Sequence, residues 1–353
     1  QTTTDIMKNF GAVIEQGEDY LKITGNQGNV TIENNYIQCN ESGSTIRFII
    51  PIALSRNNGQ LTIDGKGKLI ERPFDTYYKI FDRQGISYKT TNGKLPLYIE
   101  GSLKADTFEV EGNISSQFIT GLLYTLPLLD GDSEIVIKGP LESKGYVDLT
   151  LKILEMADIE VKNNDYKSFL IKGNQTYKGF DYTVEGDYSQ VAFWIVAGIL
   201  SEEINCKNVY KDSLQGDRAI VEIVQRMGAN LEINDKNIKV FPGKTKGTVI
   251  DVSQCPDIAP VLTVLAALSE GETRIINAER LRIKESDRIT SMRTELNKLG
   301  AEIREEGDTL IINGVEELEG GVTVDSWNDH RVAMALAIAS IKCKNPILIT
   351  DAG

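Results

Sequence analysis

Histidine is nearly absent. His330 stands alone among 353 residues, which excludes a zinc site built on histidines, and no metal is expected. Cysteine is sparse as well. Cys39, Cys206, Cys255 and Cys343 form no CxxC pair, so they read as reduced thiols of a cytoplasmic protein rather than as a disulfide framework. Positive charge is in deficit, with 38 Lys and Arg against 51 Asp and Glu and a net charge of −13. That balance argues against nucleic acid or a membrane surface as partner. An anionic ligand would have to be held by a local basic cluster against the overall field. No segment resembles a signal peptide, and the longest apolar stretch, residues 332–341, is too short to span a bilayer. What is left, 41% apolar and 25% charged residues, is an ordinary globular composition. The length fits two domains at about 150 residues each.

An internal repeat is the strongest positive signal. Five times a short polar cluster precedes an apolar run long enough for a helix: SGST at 42–45, SSQF at 115–118, GDYSQ at 186–190, CPDI at 255–258 and NDHR at 328–331. With Ser44, Ser116, Ser189, Asp257 and Asp329 as markers, the period is about seventy residues. Strand-like alternation (TFEVEG, SEIVIKG) surrounds these runs, and amphipathic helices are expected over 148–157 and 286–300. The unit reads as a β/α module whose apolar helix is buried all round. One further period upstream of Ser44 falls before Gln1, so five of six units are expected here and both ends read as cut. Six units give two three-unit domains, 1–184 and 185–353, divided near QTYKGFDYTVEGD.

Arginines occupy helix starts, where the helix dipole disfavours them. Arg47 follows Gly43-Ser44-Thr45, Arg288 follows Ser286-Asp287, and Arg331 follows Asn328-Asp329-His330; Arg72 precedes Pro73, a suitable first-turn residue. Anions at those helix ends would account for the set, bound by backbone N–H groups and guanidinium forks together. Ser115, Ser116 and Gln117 add neutral donors. For any one arginine the plain alternative is an outward turn or a pairing with a neighbouring carboxylate. Asp257 reads either as an N-cap or as a carboxylate held among cations. Glu285 reads either as half of a surface ion pair with Lys284 or Arg288, or as a proton donor and acceptor. His330, between Asp329 and Arg331, is expected to orient a neighbour or a substrate.

The segments NESGSTIRF (40–48), ERPF (71–74), GNISSQF (112–118), ESKGYVDLT (142–150), LRIKESDRI (281–289) and WNDHRVAMALAIAS (327–340) closely resemble the 5-enolpyruvylshikimate-3-phosphate synthase family, in order and over essentially the whole chain. The resemblance implies a two-domain inside-out α/β barrel of six repeated units with its active site in the interdomain cleft. It implies transfer of the enolpyruvyl group of phosphoenolpyruvate to the 5-hydroxyl of shikimate 3-phosphate, by addition and elimination through a tetrahedral intermediate, without a cofactor, in a cytoplasmic monomer of the shikimate pathway. Carried over by motif, Ser115, Ser116, Ser143 and Lys284 would surround the shikimate phosphate, with Tyr146 against its ring. Asp257 would hold the hydroxyls and deprotonate the attacking one, and Glu285 would handle the methylene proton of phosphoenolpyruvate. Arg72, Gln117 and the Gly43-Ser44 turn would take the phosphate of phosphoenolpyruvate; Arg288 and Arg331 would take its carboxylate. Asp329 and His330 complete the expected substrate contacts, and the inhibitor glyphosate would share the phosphoenolpyruvate site. Closure of the cleft is expected to follow substrate, because the cations repel one another until anions arrive.

Two family features are missing from these residues: an opening Lys-Ser segment with a nearby Arg, and a Lys beyond the last strand. A protein of these residues alone is therefore expected to be nearly inactive. Two rival readings remain. The sister enzyme acting on UDP-N-acetylglucosamine shares the fold but uses a reactive cysteine, and Cys39, in YIQCNESG, lacks a basic flank. A non-catalytic relic or scaffold is the other; the set Asp257, Glu285, Arg288, Asp329, His330 and Arg331 argues against it.

Overall fold

The computed structural model describes residues 1–26, 28–56 and 59–352, with the side chain of residue 56 left aside. Contacts divide it into two compact units, Gln1–Asp181 and Tyr182–Gly353. Each has its own apolar core. Among the described residues no helix is long and apolar enough to cross a membrane.

The first unit opens with helix α1 (Thr2–Asn9) and the antiparallel hairpin Val13–Gln16/Leu21–Thr24. Strand Tyr36–Gln38 then leads through α2 (Gly43–Arg56) to strand Gln60–Asp64, which pairs with it in parallel. Helix α3 (Asp75–Gln84) and an antiparallel strand pair complete the module. The same order recurs with strand Thr107–Glu111, α4 (Ser116–Thr125), the parallel strand Ser133–Lys138, α5 (Lys144–Met156) and two antiparallel strands.

In the second unit, α6 (Tyr188–Leu200) and α7 (Ala219–Arg226) accompany a three-stranded sheet. A full module follows, with α8 (Ala259–Ala267) and α9 (Arg288–Lys298) flanking strand Glu272–Ile276. Strand Thr323–Asp325, α10 (His330–Ala339) and the parallel strand Leu348–Thr350 close the chain. The seventy-residue period is thus a β–α–β–α–β–β unit, complete at 36–100, 107–171 and 249–313.

The chemistry of the sequence explains these elements. All nine residues of α8 are buried, as an apolar run without a polar face requires. Ser115, Asp187, Asp287 and Asp329 cap α4, α6, α9 and α10 by accepting from backbone N–H groups two residues on. Parallel pairs joined through one helix place that helix's N-terminus at the carboxyl end of the first strand. The polar markers Ser44, Ser116, Asp257 and Asp329 therefore fall at the carboxyl ends of the strands before α2, α4, α8 and α10.

Two local expectations are corrected. Pro73 is not in the first turn of α3, which starts at Asp75 after Phe74; Arg72 ends the preceding 3-10 turn, Gly67–Glu71. The helix expected from residue 148 starts a turn earlier, at Lys144. Ser143 supplies the break by adopting left-handed backbone, φ 55°, a position the run Ser-Lys-Gly conceals.

Candidate active site

In the second unit, three buried helix starts converge through side chains of the KESDR and NDHR segments. Asp257 lies in the 3-10 turn Pro256–Ile258 ahead of α8. Its Oδ1 accepts from Arg288 Nη1 at 2.9 Å and stands 3.2 Å from Lys284 Nζ and 3.9 Å from Arg331 Nε. The N-cap reading is overturned, because no helix N–H bonds this carboxylate among the described contacts and cations surround it. Burial alone would push its acidity weaker, but Lys284, Arg331 and Arg288 together hold it well below the usual carboxylate range. Lys284 is the counterpart: burial pulls its ammonium below the ordinary lysine value despite the attraction of Asp257.

Arg288 is 1% exposed and organises the cluster. Its Nε donates to Asp329 at 2.8 Å, Nη1 to Asp257, and Nη2 to Glu285 at 2.7 Å and to Asp329 at 3.2 Å. Four of its five N–H groups are thereby engaged by carboxylates. Burial works most strongly against its charge, and the Asp329 bond together with the charges of Asp329, Asp257 and Glu285 more than offsets it. The pairing alternative thus holds for Arg288 in this structure. Asp329 accepts from Ser286 Oγ, Arg288 and the N–H of Arg331. Its side chain is fully covered; it caps α10 and anchors Arg288.

Arg331 donates from Nη2 to Ser189 Oγ at 2.9 Å and from Nη1 to the carbonyls of Ser189 and Asp257. It therefore ties the start of α10 to those of α6 and α8. His330 sits apart, 57% exposed, with Nδ1 4.0 Å from Asp329. Among the described residues its ring makes no hydrogen bond that would orient a neighbour. Three cations (Lys284, Arg288, Arg331) thus meet three carboxylates (Asp257, Glu285, Asp329) in a nearly neutral, desolvated network.

The first unit holds a second convergence. Gly43 opens α2, and a Cβ there would stand 2.5 Å from Arg72 Nη1 and 3.1 Å from Arg47 Nη1. Two guanidinium groups crowd one face of a residue that must be glycine for them to do so. Arg47 Nη1 donates to Gln117 Oε1 at 2.7 Å, joining the start of α2 to that of α4. Its guanidinium also lies over the rings of Phe118 and Phe74. Ser44 is half-buried beside Ser42.

Ser115 caps α4 and Ser116 is buried behind it. The loop before α4 runs against the loop before α5: Glu142 N donates to Gly112 O, and a Cβ on Gly112 would strike Pro140 and Leu141. That approach brings Ser143 and Tyr146, at the start of α5, to the same end of the module as Ser115. Lys144 lies over the Tyr166 ring, which bonds Asp148.

The sequence set Arg47 among the helix-start arginines and Ser189 among the repeat markers, but gave neither a place in the substrate-binding set. The signal for Arg47 is Pro51, four residues on inside α2. Proline has no N–H for the Arg47 carbonyl, and the Tyr77 hydroxyl donates to it instead. The signal for Ser189 is its repeat position, equivalent to Asp257 and Asp329. No reactive thiol accompanies either cluster among the described residues: burial pushes Cys39 and Cys255 up to about 12 and raises Cys206.

Comparison with known proteins adds the family. Residues 1–353 match the profile of EPSP synthase (3-phosphoshikimate 1-carboxyvinyltransferase). The chain is 56% identical over 331 residues to the 3-phosphoshikimate 1-carboxyvinyltransferase of Clostridium novyi (strain NT), covering 94% of this chain and 75% of that protein. It is 55% identical to the enzyme of that name from Clostridium perfringens (strain 13 / Type A), over 99% of this chain and 82% of the other. An EPSP synthase structure from Acinetobacter baumannii superposes with a TM-score of 0.81 at 24% identity, over 99% of this chain and 83% of that one. That last likeness concerns the two-domain α/β fold alone.

Proposed function

Because the chain belongs to the EPSP synthase family, it transfers the enolpyruvyl group of phosphoenolpyruvate to shikimate 3-phosphate, and we propose how its residues divide that work. The observation that carries the proposal is the Asp257 carboxylate, held ionised by Lys284, Arg288 and Arg331 where buried helices start. Arg331 takes the carboxylate of phosphoenolpyruvate, and Arg288 adds its charge and its remaining N–H. Arg72, Gln117 and the Gly43-Ser44 turn take its phosphate, with Arg47 fixing the Gln117 amide. Ser115, Ser116, Ser143 and Lys284 hold the phosphate of shikimate 3-phosphate, and Tyr146 packs on its ring. His330 reaches a substrate from its exposed position.

The electrostatics suggest an order of events. With its acidity so strengthened, Asp257 is a poor base in the unliganded protein. Substrate anions that draw Lys284 and Arg331 toward themselves relieve the carboxylate of that field and raise its basicity. Asp257 then accepts the proton of the 5-hydroxyl as that oxygen bonds to the central carbon of phosphoenolpyruvate. Glu285, which must enter this step in its protonated form, delivers that proton to the methylene carbon, giving the tetrahedral adduct and leaving Glu285 as the carboxylate. In the elimination Glu285 takes a methyl proton back, the C–O bond to phosphate breaks, and the proton held by Asp257 leaves with phosphate. Preorganised cations stabilise the charge that moves between these groups.

UDP-N-acetylglucosamine is disfavoured as acceptor by the buried, weakly acidic thiols and by the relatives' names. We further infer a cytoplasmic monomer. The test is phosphate release by the full-length protein from phosphoenolpyruvate with each acceptor. Release with shikimate 3-phosphate alone is expected; release with the UDP-sugar alone would overturn the assignment. Size-exclusion light scattering that gave a dimer mass would remove the monomer.

A further inference from the structure

Helix α9 grips the segment before α10 at two points, two turns apart on one helical face. The first is Arg288 on Asp329. The second is Glu295, 1% exposed, whose Oε1 accepts from Trp327 Nε1 at 2.9 Å and whose Oε2 accepts from Asp325 N at 3.0 Å. Between those grips the backbone makes a corner that side chains normally avoid: Trp327 and Asn328 both lie in the left-handed region, φ 55° and 51°. The next residue is Asp329, the cap of α10, and two residues later comes Arg331. Consecutive left-handed residues that are not glycine persist only when their surroundings over-determine them. A carboxylate with two acceptor oxygens, facing an indole N–H on one and a backbone N–H on the other, does so here.

We infer that Glu295 is a positioning residue for the phosphoenolpyruvate site, holding the Trp327–Asn328 corner so that α10 starts where Arg331 reaches Ser189 and Asp257. This rests on the proposed role of Arg331. The simpler alternative is that Glu295 only pairs with Lys298 along α9, at 2.7 Å. Lys298 is half exposed, and both carboxylate oxygens are already committed to the corner. Glutamine cannot replace the group, since its amide offers one acceptor where the corner presents two donors.

The test uses the full-length protein and four variants. Trp327→Phe removes the indole N–H and keeps a ring; Glu295→Gln removes one acceptor; Lys298→Ala removes only the α9 pair; Arg331→Ala reports on the site itself. Trp327→Phe and Glu295→Gln are expected to raise KM for phosphoenolpyruvate by about 5- to 20-fold while kcat falls less than about threefold, the pattern of lost ground-state binding. KM for shikimate 3-phosphate and the values of Lys298→Ala should stay at wild type. In a Trp194→Phe background, which leaves Trp327 as sole reporter, Glu295→Gln should red-shift the emission. If Arg331→Ala raises KM for phosphoenolpyruvate but Trp327→Phe and folded Glu295→Gln do not, the positioning role is refuted and the site reading stands. If Arg331→Ala leaves that KM unchanged, the site reading itself fails. Should Glu295→Gln not fold, the milder Trp327→Phe decides alone.

Discussion

Replacing Asp257 by Asn isolates the charge at the centre of the second unit while keeping its shape. At an effective dielectric of about 20, cations 2.9, 3.2 and 3.9 Å away each attract the carboxylate by about 4 to 6 kcal/mol. Desolvating the ions takes back several kcal/mol apiece. Arg288 also keeps Asp329 and Glu285 in the variant, so the net loss at neutral pH should be on the order of 2–4 kcal/mol, below the usual cost of orphaning a buried charge. The pH dependence is the sharper reading. The folded carboxylate is far more acidic than the unfolded one. Its contribution to stability is therefore complete above the ordinary Asp value of about 4 and fades at about 1.4 kcal/mol per pH unit below it. Both tryptophans, Trp194 and Trp327, lie in the second unit, so urea unfolding followed by tryptophan emission reports that unit. Between pH 7 and pH 3 the wild type should lose about 1 kcal/mol more than Asp257→Asn. Turnover of the full-length variant should fall at least about a hundredfold with the base removed. An acid loss equal to that of the wild type would refute the ion network, and turnover within tenfold would refute the base.

Three further outcomes follow from the same geometry. Glu285→Gln should leave phosphoenolpyruvate affinity within a few-fold and cut turnover by roughly a hundredfold, checked by equilibrium binding beside steady-state rates. Gly43→Ala should raise KM for phosphoenolpyruvate about tenfold or more by displacing Arg72, with little change in melting, because the clash is with the flexible end of an arginine; an unchanged KM would remove the Gly43 face from the site. Tyr77→Phe should destabilise the first unit by about 1–3 kcal/mol, since the Arg47 carbonyl beneath Pro51 loses its donor inside a core. Circular dichroism melts would show it, and a neutral result would mean that the carbonyl finds another partner.

What the sequence made legible follows from the scale of each signal. The period was readable because each buried helix needs a long apolar run, and each run needs a polar start; Ser116 before α4 and Asp329 before α10 carry both. That Asp257, Lys284, Arg288 and Arg331 meet was readable only through motifs, since residues 74 apart touch by virtue of the repeat, not of local spacing. Burial and pairing were hidden. Nothing in LRIKESDRI separates Arg288, fully covered, from Arg282, which is partly exposed and faces Glu305 and Asp308. The start of α5 was hidden too, because a left-handed serine leaves no mark in composition.

The arginines at helix starts take on a different meaning once their partners are known. Read singly, each costs a few tenths of a kcal/mol against the helix dipole. In the second unit that cost is cancelled by carboxylates already in place, so Arg288 and Arg331 are not bare charges awaiting ligands. Under the proposed roles, an incoming anion would exchange partners with Asp257 instead of filling an empty cationic hole. Exchange has a chemical advantage over simple neutralisation. On that proposal, binding of the two acids would shift the field of Lys284 and Arg331 off the one carboxylate that must become a base, and would do so only when both have ligands to turn to. A proton-transfer group that stays inert until its cations are drawn away protects phosphoenolpyruvate from attack by water before the acceptor is seated, because the hydroxyl of water would need the same base. Glu285, held by Arg288 at 2.7 Å, is restrained by the same network. The fold's contribution is to start several helices at one end of each module, which lets a single buried arginine reach three carboxylates at once.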